Sequence, residues 1–345
     1  MSDDDLQPLD PHEGVERFIR YRKPSVRPST LNNARTRLNH FLDWCDEREI
    51  ENLNDLDGRD LADFVAWRQG DIAPITLQKQ LSTVRAALEW WADMEAVKEG
   101  LREKVHSPTL PDGAESRDDH LTAERARSII ASLDRYHYAS RDHALMLLLW
   151  TTGMRRSAAR SIDVDDLRPD ENAIVVENRP DKGTNLKNGD AGNRWVYLGP
   201  EVFQVIEDYA ENPDRPDKVD DYGRQPLFTS THGRPTGDTI YVWVNRATQP
   251  CQYGACPHDR DLDDCDALGH DGYPSRCPSS CGPHAIRRGS ITNFLNAGTT
   301  PEIVSERMDV SLEVLYEHYD VRSNQEKMTV RKNVLDDSEV LSDDR

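Results

Sequence analysis

The sequence predicts a mainly α protein with a small antiparallel β-sheet, divided into an all-helical N-terminal part and an α+β C-terminal part. Three observations carry this. Apolar residues recur at three- and four-residue spacing through most of the 345-residue chain, which is the period of one helical face. Only two short β-branched runs read as strands, NAIVVE (172–177) and RWVYLG (194–199), joined by the polar loop NRPDKGTNLKNGDAGN. Between the halves, HSPTLPDGAESRDD (106–119) has the proline, glycine and charge of a linker.

Residues 11–105 form the helical part. From Ser29 the series Leu31, Ala34, Leu38, Phe41, Leu42 and Cys45 marks an amphipathic helix, with a Ser/Thr N-cap expected at its start. DGRDLADFVAWRQ reads as another helix, and Leu81, Val84, Leu88 and Trp91 mark a third after APIT. Residues 120–330 form the second part. LTAERARSIIASL opens it with Thr122 as cap, and ALMLLLW (144–150) belongs to a buried helix that stops at Gly153. Helices return near 200–209, 238–248, 284–296, 301–308 and 312–319. In the last, Leu312, Leu315, Tyr316 and Tyr319 share one face and read as core by default. The acidic end, 331–345, is expected to be disordered.

Composition narrows the function classes. Hydrophobic residues are 36% and charged residues 31%, which suits a soluble globular protein. No apolar run reaches membrane-spanning length, and the N-terminus has neither a basic n-region nor an apolar h-region. The cytoplasm is the expected compartment. A net charge of −20 argues against nucleic acid in dilute buffer. However, only nine of the 43 basic residues are lysine, and an acidic, lysine-poor surface resembles proteins of organisms that live in strong salt. At molar salt the Debye length is about 3 Å, so global charge hardly repels a polyanion and local patches decide. VERFIRYRKPSVRPSTLNNARTR (15–37) is such a patch. It sets Arg17, Arg20, Arg22, Lys23, Arg27, Arg35 and Arg37 against Glu16 alone, and it is the candidate DNA-phosphate surface beside the plainer reading of a solvated helix face.

Four features then fall in one order. TTGMRRSAARSIDVDDL (151–167) puts Arg155 at the turn where the buried helix ends. NLKNG puts Lys187 between two strands, GPHAIRRGSITNFL puts His284 and Arg287 on one helical face, and HYD supplies Tyr319. Each alone is unremarkable; the order and the phrasing TG-M-R and PH-x-x-R together are not.

Over about residues 11–330 the sequence resembles the tyrosine recombinase (phage integrase) family, and its acidity and HYDVRS ending resemble haloarchaeal members. The resemblance implies a SAM-like helical core-binding domain followed by a catalytic domain. It implies that Arg155 and Arg287 are the arginine pair, Lys187 the lysine, His284 the histidine and Tyr319 the nucleophile of a site-specific recombinase. It also implies a 3′-phosphotyrosine intermediate, a tetramer on double-stranded DNA, and no cofactor for catalysis.

The chemistry agrees with those residue types. A phenol needs help as a nucleophile, two guanidinium forks suit a phosphate, an imidazole can relay the phenol proton, and an ammonium can protonate the leaving 5′-oxygen. Tyr316 and Lys182 compete with Tyr319 and Lys187. One departure stands out: ERMDVS puts Asp309 where the family carries histidine or tryptophan, so an acid that can orient but not donate as imidazolium does joins the site. His318, next to Tyr319, is no substitute. A DNA-binding protein of the same fold with weak or no cleavage is the alternative.

Five of six cysteines lie in CQYGACPHDRDLDDCDALGHDGYPSRCPSSC, an apparent insertion over 250–282. Cys251, Cys256, Cys265 and Cys277 are the expected ligands of a structural zinc, with His258, His270 or Cys281 able to replace one. A zinc-organised interaction module is a third reading of the chain. Cys45 sits on an apolar helical face as core.

Overall fold

The computed structural model describes residues 6–109, 120–261, 263–268 and 272–319, with positions 325, 328 and 332. Of the sequence expectations, linker residues 110–119, His270, the His318 side chain and nearly all of the acidic tail lie outside the described residues. The chain divides into two compact units, Met1–Arg117 and Asp118–Arg345.

The first unit contains α1 (Pro11–Arg22), α2 (Pro28–Glu47), α3 (Gly58–Arg68), α4 (Pro74–Asp93) and the single turn α5 (Leu101–Lys104). Helix α1 begins at Asp10, whose carboxylate accepts from Glu13 N at 2.9 Å. Helix α3 carries a capping box made by Asp57 and Asp60. The serine or threonine cap expected for α2 is not there. Arg27 is the N-cap and makes no side-chain cap, Pro28 takes the first turn, and Ser29 and Thr30 are already helical. Proline at that position brings a preset φ and no amide to satisfy, so the turn forms without a hydroxyl. Phe18, Leu38, Phe41, Trp44, Cys45, Phe64, Leu81 and Trp91 fill the core. Trp91 donates to Gly14 O at 2.9 Å, and a Cβ at Gly14 would sit 2.6 Å from Leu53, so the two helices meet at a residue without a side chain.

The second unit runs α6 (Ala123–Tyr136), α7 (Arg141–Thr152), α8 (Arg156–Ser161), β1 (Leu167–Arg168), β2 (Ala173–Val176), β3 (Arg194–Tyr197), α9 (Pro200–Glu211), α10 (Gly237–Ala247), α11 (Pro283–Asn296), α12 (Pro301–Met308) and α13 (Leu312–His318). Thr122 caps α6 as expected. The antiparallel sheet has the order β1-β2-β3, with Val175 opposite Trp195 and Leu167 opposite Ile174. β1 is only two residues long, too short for its alternation to be read.

Helix α7 is buried nearly all round and packs against α6, α9, α10 and α11. It stops where Gly153 turns left-handed at φ 55°, and a Cβ there would lie 2.5 Å from Met308 Sδ. Helix α11 crosses close by: Ser290 Oγ donates to Trp150 O at 2.6 Å, and Gly289 faces Leu121 O where no Cβ fits.

Two devices hold the loops. Asp163, Asp166 and Asp220 pair with Arg179, Arg224 and Arg234; Arg179 grips both Asp166 oxygens, at 2.5 and 2.9 Å, at the foot of the loop between β2 and β3. The cysteine-rich segment leaves and rejoins the core at one point. There Cys281 N donates to Thr248 Oγ1 at 2.8 Å, Thr248 Oγ1 donates to Cys281 O at 3.1 Å, and Arg125 bonds the carbonyls of Thr248 and Ser279.

Candidate active site

The helix stop at Gly153 sets the first arginine. Arg155 is the N-cap of α8, extended at φ −70° and ψ 151°, and half-buried. Arg287 enters from α11, one helical turn after His284, and is only 3% exposed. Its Nη1 bonds Gly153 O at 2.9 Å and Met308 O at 2.6 Å, and its Nη2 bonds Asp309 O at 3.3 Å. Arg155 Nη1 reaches the same Asp309 carbonyl at 2.5 Å. Burial, then Arg155, brings the Arg287 pKa down to about 10, against the opposing pull of Tyr319 and Asp309; it stays a cation at neutral pH.

Asp309 stands where α12 ends, itself left-handed at φ 53°. Its carboxylate faces inward: Oδ2 pairs with Arg155 Nη1 at 2.5 Å, and Oδ1 accepts from Asn188 Nδ2 at 2.6 Å. Arg194, on β3, feels both Asp309 and Arg155; its pKa is lowered mainly by burial, and it bonds Arg307 O at 3.0 Å. Sequence reasoning missed Asn188 and Arg194. Asn188 sits beside Lys187 in a loop with no local signature, and Arg194 read as the polar first residue of a strand.

The two tyrosines separate. Tyr319 is the C-cap of α13, 7% exposed, and its phenol lies close enough to the Arg287 guanidinium to pull the Arg287 pKa upward. Tyr316 is 51% exposed. The expectation that Leu312, Leu315, Tyr316 and Tyr319 form one core face is corrected by half: Leu315 and Tyr319 are buried, whereas Leu312 and Tyr316 face solvent. A helix this short packs only its inner stripe.

His284 is exposed, yet its pKa is lowered, first by partial desolvation and then by Arg287, Arg288 and Arg155. It is a neutral imidazole beside three guanidiniums.

The candidate lysines also separate. Lys187 is exposed, between buried Leu186 and the Asn188 that bonds Asp309. Lys182 has its carbonyl held by Arg224 at 2.7 Å and lines a cavity of about 220 Å³ with Arg160, Asp220, Tyr222, His232 and Arg234. None of those residues belongs to the Arg155–Arg287 group.

In the first unit the basic stretch is partly spoken for. Arg17 pairs with Glu13 at 2.5 Å, Arg35 pairs with Glu16, Arg37 donates to Thr83 at 3.2 Å, and Arg22 lies over the Phe18 ring. Arg20, Lys23 and Arg27 are exposed. Glu13, just before the patch, lies within i,i+4 reach of Arg17 and weakens the local reversal of sign.

Among the cysteines, Cys251 has its pKa raised by burial first and then by Cys277, Cys256 and Cys265, so the four expected thiols lie within electrostatic reach of one another. His258 Nε2 is buried and has no hydrogen-bond partner among the described residues. However, no three His, Cys, Asp or Glu side chains among the described residues are placed to hold a metal ion.

Comparison with known proteins identifies the family of both parts of the chain. The phage integrase family matches residues 119–320, and the phage integrase N-terminal SAM-like domain matches residues 15–93. Tyrosine recombinase XerC of Escherichia coli O157:H7 (strain EC4115 / EHEC) is 23% identical over 190 residues, 54% of this chain and 63% of that protein. The match thus spans less than two thirds of that relative's length. Tyrosine recombinase XerD of Mycobacterium leprae (strain TN) is 23% identical over 304 residues, 82% of this chain and 84% of that protein. A structure of the Tn1549 transposon integrase in complex with a circular intermediate DNA superposes with a TM-score of 0.66 at 15% identity, covering 94% of this chain and 99% of that one, and shows the same fold. With the family matched over more than half its length, the chain belongs to the phage integrase family.

Proposed function

We propose that the protein is a site-specific DNA recombinase that cuts and rejoins strands through a 3′-phosphotyrosine. The carrying observation is the convergence of Arg155, Arg287, His284 and Tyr319 from three separate stretches of chain on one small region. Tyr319 Oη attacks the scissile phosphorus while the two guanidiniums neutralise its non-bridging oxygens. Neutral His284 accepts the phenol proton. Lys187 donates a proton to the departing 5′-oxygen. The P–O5′ bond breaks as the P–O(Tyr) bond forms, so one ester replaces another and no external energy is consumed. Attack by a 5′-hydroxyl reverses the step and rejoins the strand. Tyr319 must leave its seat against Arg287 to reach the phosphorus.

The first unit supplies duplex grip, with Arg20, Lys23 and Arg27 the exposed cations of the patch and Arg17, Arg22, Arg35 and Arg37 able to exchange internal partners for phosphates. A tetramer on the DNA, a cytoplasmic location and life in strong salt belong to the same proposal. No helix among the described residues is long and apolar enough to cross a membrane. A structural zinc in the 250–282 insertion is a separate proposal. Its supports are the proximity of four thiols and the unpartnered His258 nitrogen, and its cost is that these side chains must close in to reach ligand distance. It takes no part in the reaction.

The test is a nicked duplex carrying the junctions that flank the protein's own gene, so that cleavage releases a short fragment and traps the enzyme. An adduct that survives SDS, and is lost in Tyr319→Phe, is expected. Its absence from the wild-type protein at every salt concentration would favour the non-cleaving alternative.

A further inference from the structure

Asp309 does not point at solvent as a lone acid on a helix end would. It is shared between two partners from different elements: Arg155, at the start of α8, and Asn188, in the loop between β2 and β3. A carboxylate only accepts, so the Asn188 amide must present its nitrogen. Both bonds are charge-assisted and short.

We infer that Asp309 and Asn188 form a bracket that holds the Lys187 loop against the arginine pair, making Asn188 a positioning residue for protonation of the leaving oxygen. This rests on the phosphotyrosine reading and adds the device that places its proton donor.

The rest of the loop is fixed by its own bonds, among them Arg160 to Gly183 O at 2.8 Å and Asn178 N to Asn193 Oδ1 at 2.7 Å. Its foot is fixed at Arg179 by Asp166 and at Asn178, which bonds Leu186 N at 2.9 Å and Asp190 at 2.7 Å. Leu186, 1% exposed, is its one apolar anchor. Gly189 follows Asn188 with φ 59°, a conformation that rigidity of sequence does not enforce. Lys187 lies in the turn that Gly189 N closes on Leu186 O at 3.2 Å, between two neighbours, Leu186 sunk in the core and Asn188 tied to Asp309. Remove the second and the lysine backbone pivots on the first. Misplacement by about an ångström is enough to cost a proton transfer severely. Because Asp309 also pairs with Arg155, the bracket sets the lysine in register with the guanidinium that grips the same phosphate.

A substrate with sulfur in place of the bridging 5′-oxygen gives a direct test. Its thiolate departs without a proton, so a defect in protonation vanishes, whereas a defect in phosphate binding or attack persists. With the ordinary ester, Asn188→Ala is expected to slow adduct formation about tenfold or more. With the thio-ester it should react close to the wild-type rate. Lys187→Ala should show the same split, and the Asn188→Ala, Lys187→Ala pair should be no slower than Lys187→Ala alone. Asn188→Asp, which sets a carboxylate against a carboxylate, should be at least as slow as the alanine variant and rescued in the same way. Asn188 is exposed, so these variants are expected to fold.

The inference is overturned if Asn188→Ala is as fast as wild type on the ordinary ester, or equally slow on both. If wild type forms no adduct with either substrate, the phosphotyrosine reading itself is lost, and the bracket with it.

Discussion

Arg155 and Arg287 share one acceptor: both donate to the carbonyl oxygen of Asp309, at 2.5 and 3.3 Å. Two guanidiniums from separate helices thus meet on one backbone oxygen, and the Asp309 carboxylate adds an anion on the Arg155 side. Like charges repel, and the Gly153, Met308 and Asp309 carbonyls offset that repulsion before any phosphate arrives. Replacing either arginine by alanine should cut adduct formation by roughly 10²- to 10³-fold. The two differ in stability. Arg287→Ala leaves buried carbonyls unsatisfied and should cost about 2 kcal/mol or more, whereas half-exposed Arg155→Ala should cost less. Thermal melts of the two variants decide this; equal melting points would contradict the assigned roles.

The phenol assignment predicts an asymmetry between neighbours. Tyr319→Phe should abolish the adduct while lowering stability by no more than about 1 kcal/mol, since it removes one polar atom near Arg287 and keeps the buried ring. Tyr316→Phe, at an exposed position, should leave both unchanged. Loss of the adduct in Tyr316→Phe with retention in Tyr319→Phe would reverse the assignment.

Acid should act on both rate and fold. The His284 pKa is lowered by partial desolvation and the arginines, so the proton acceptor stays neutral below the ordinary histidine value of about 6.5. Single-turnover cleavage should hold through neutral pH and fall only below that value, and His284→Gln should remove this acid limb along with most activity. His143, 1% exposed, is lowered by burial as well. For both, the unfolded chain takes up a proton before the folded one does. Stability is therefore complete above about pH 6.5 and declines as pH falls through the lowered folded values. A melting temperature that rises between pH 7 and 5 would contradict this.

Gly153 is predicted to be intolerant. Alanine there meets a left-handed backbone and Met308 Sδ at 2.5 Å, so Gly153→Ala should lose more than about 1 kcal/mol and displace Arg155 as well. Adding Met308→Ala relieves the clash but not the backbone strain. The double variant should remain less stable than Met308→Ala alone, as measured by urea denaturation.

Metal analysis addresses the insertion. Protein purified under reducing conditions and then denatured should release about one zinc per chain, and chelation should lower the melting temperature without changing the sequence preference of cleavage. A metal content near zero in protein that still forms the adduct would remove the zinc proposal and leave the recombinase intact.

What the sequence revealed followed how local each signal was. Gly153, Arg155, His284 and Arg287 lie in short runs whose spacing is set by one helix or one turn, so their placement was readable. Tyr319 read from its own period as core, and its candidacy over Tyr316 came from the family resemblance and its place at the helix end. Asn188 with Asp309, and Arg194 with the arginine pair, are joined only by tertiary packing, and no period in either segment encodes it. The missed cap of α2 has a different cause: two hydroxyls beside a helix start drew the eye, while Pro28 had already supplied the geometry. β1 needed its partner strand to exist at all.

The knot that joins Thr248 to Cys281 uncouples the segment beyond it from the rest of the unit. Because exit and return are tied at one spot on the core, the length of peptide between them hardly affects how α11 is presented. Such a peninsula can be shortened, enlarged or exchanged while Arg155, His284 and Arg287 keep their places, so its contacts can change without disturbing the arginine pair.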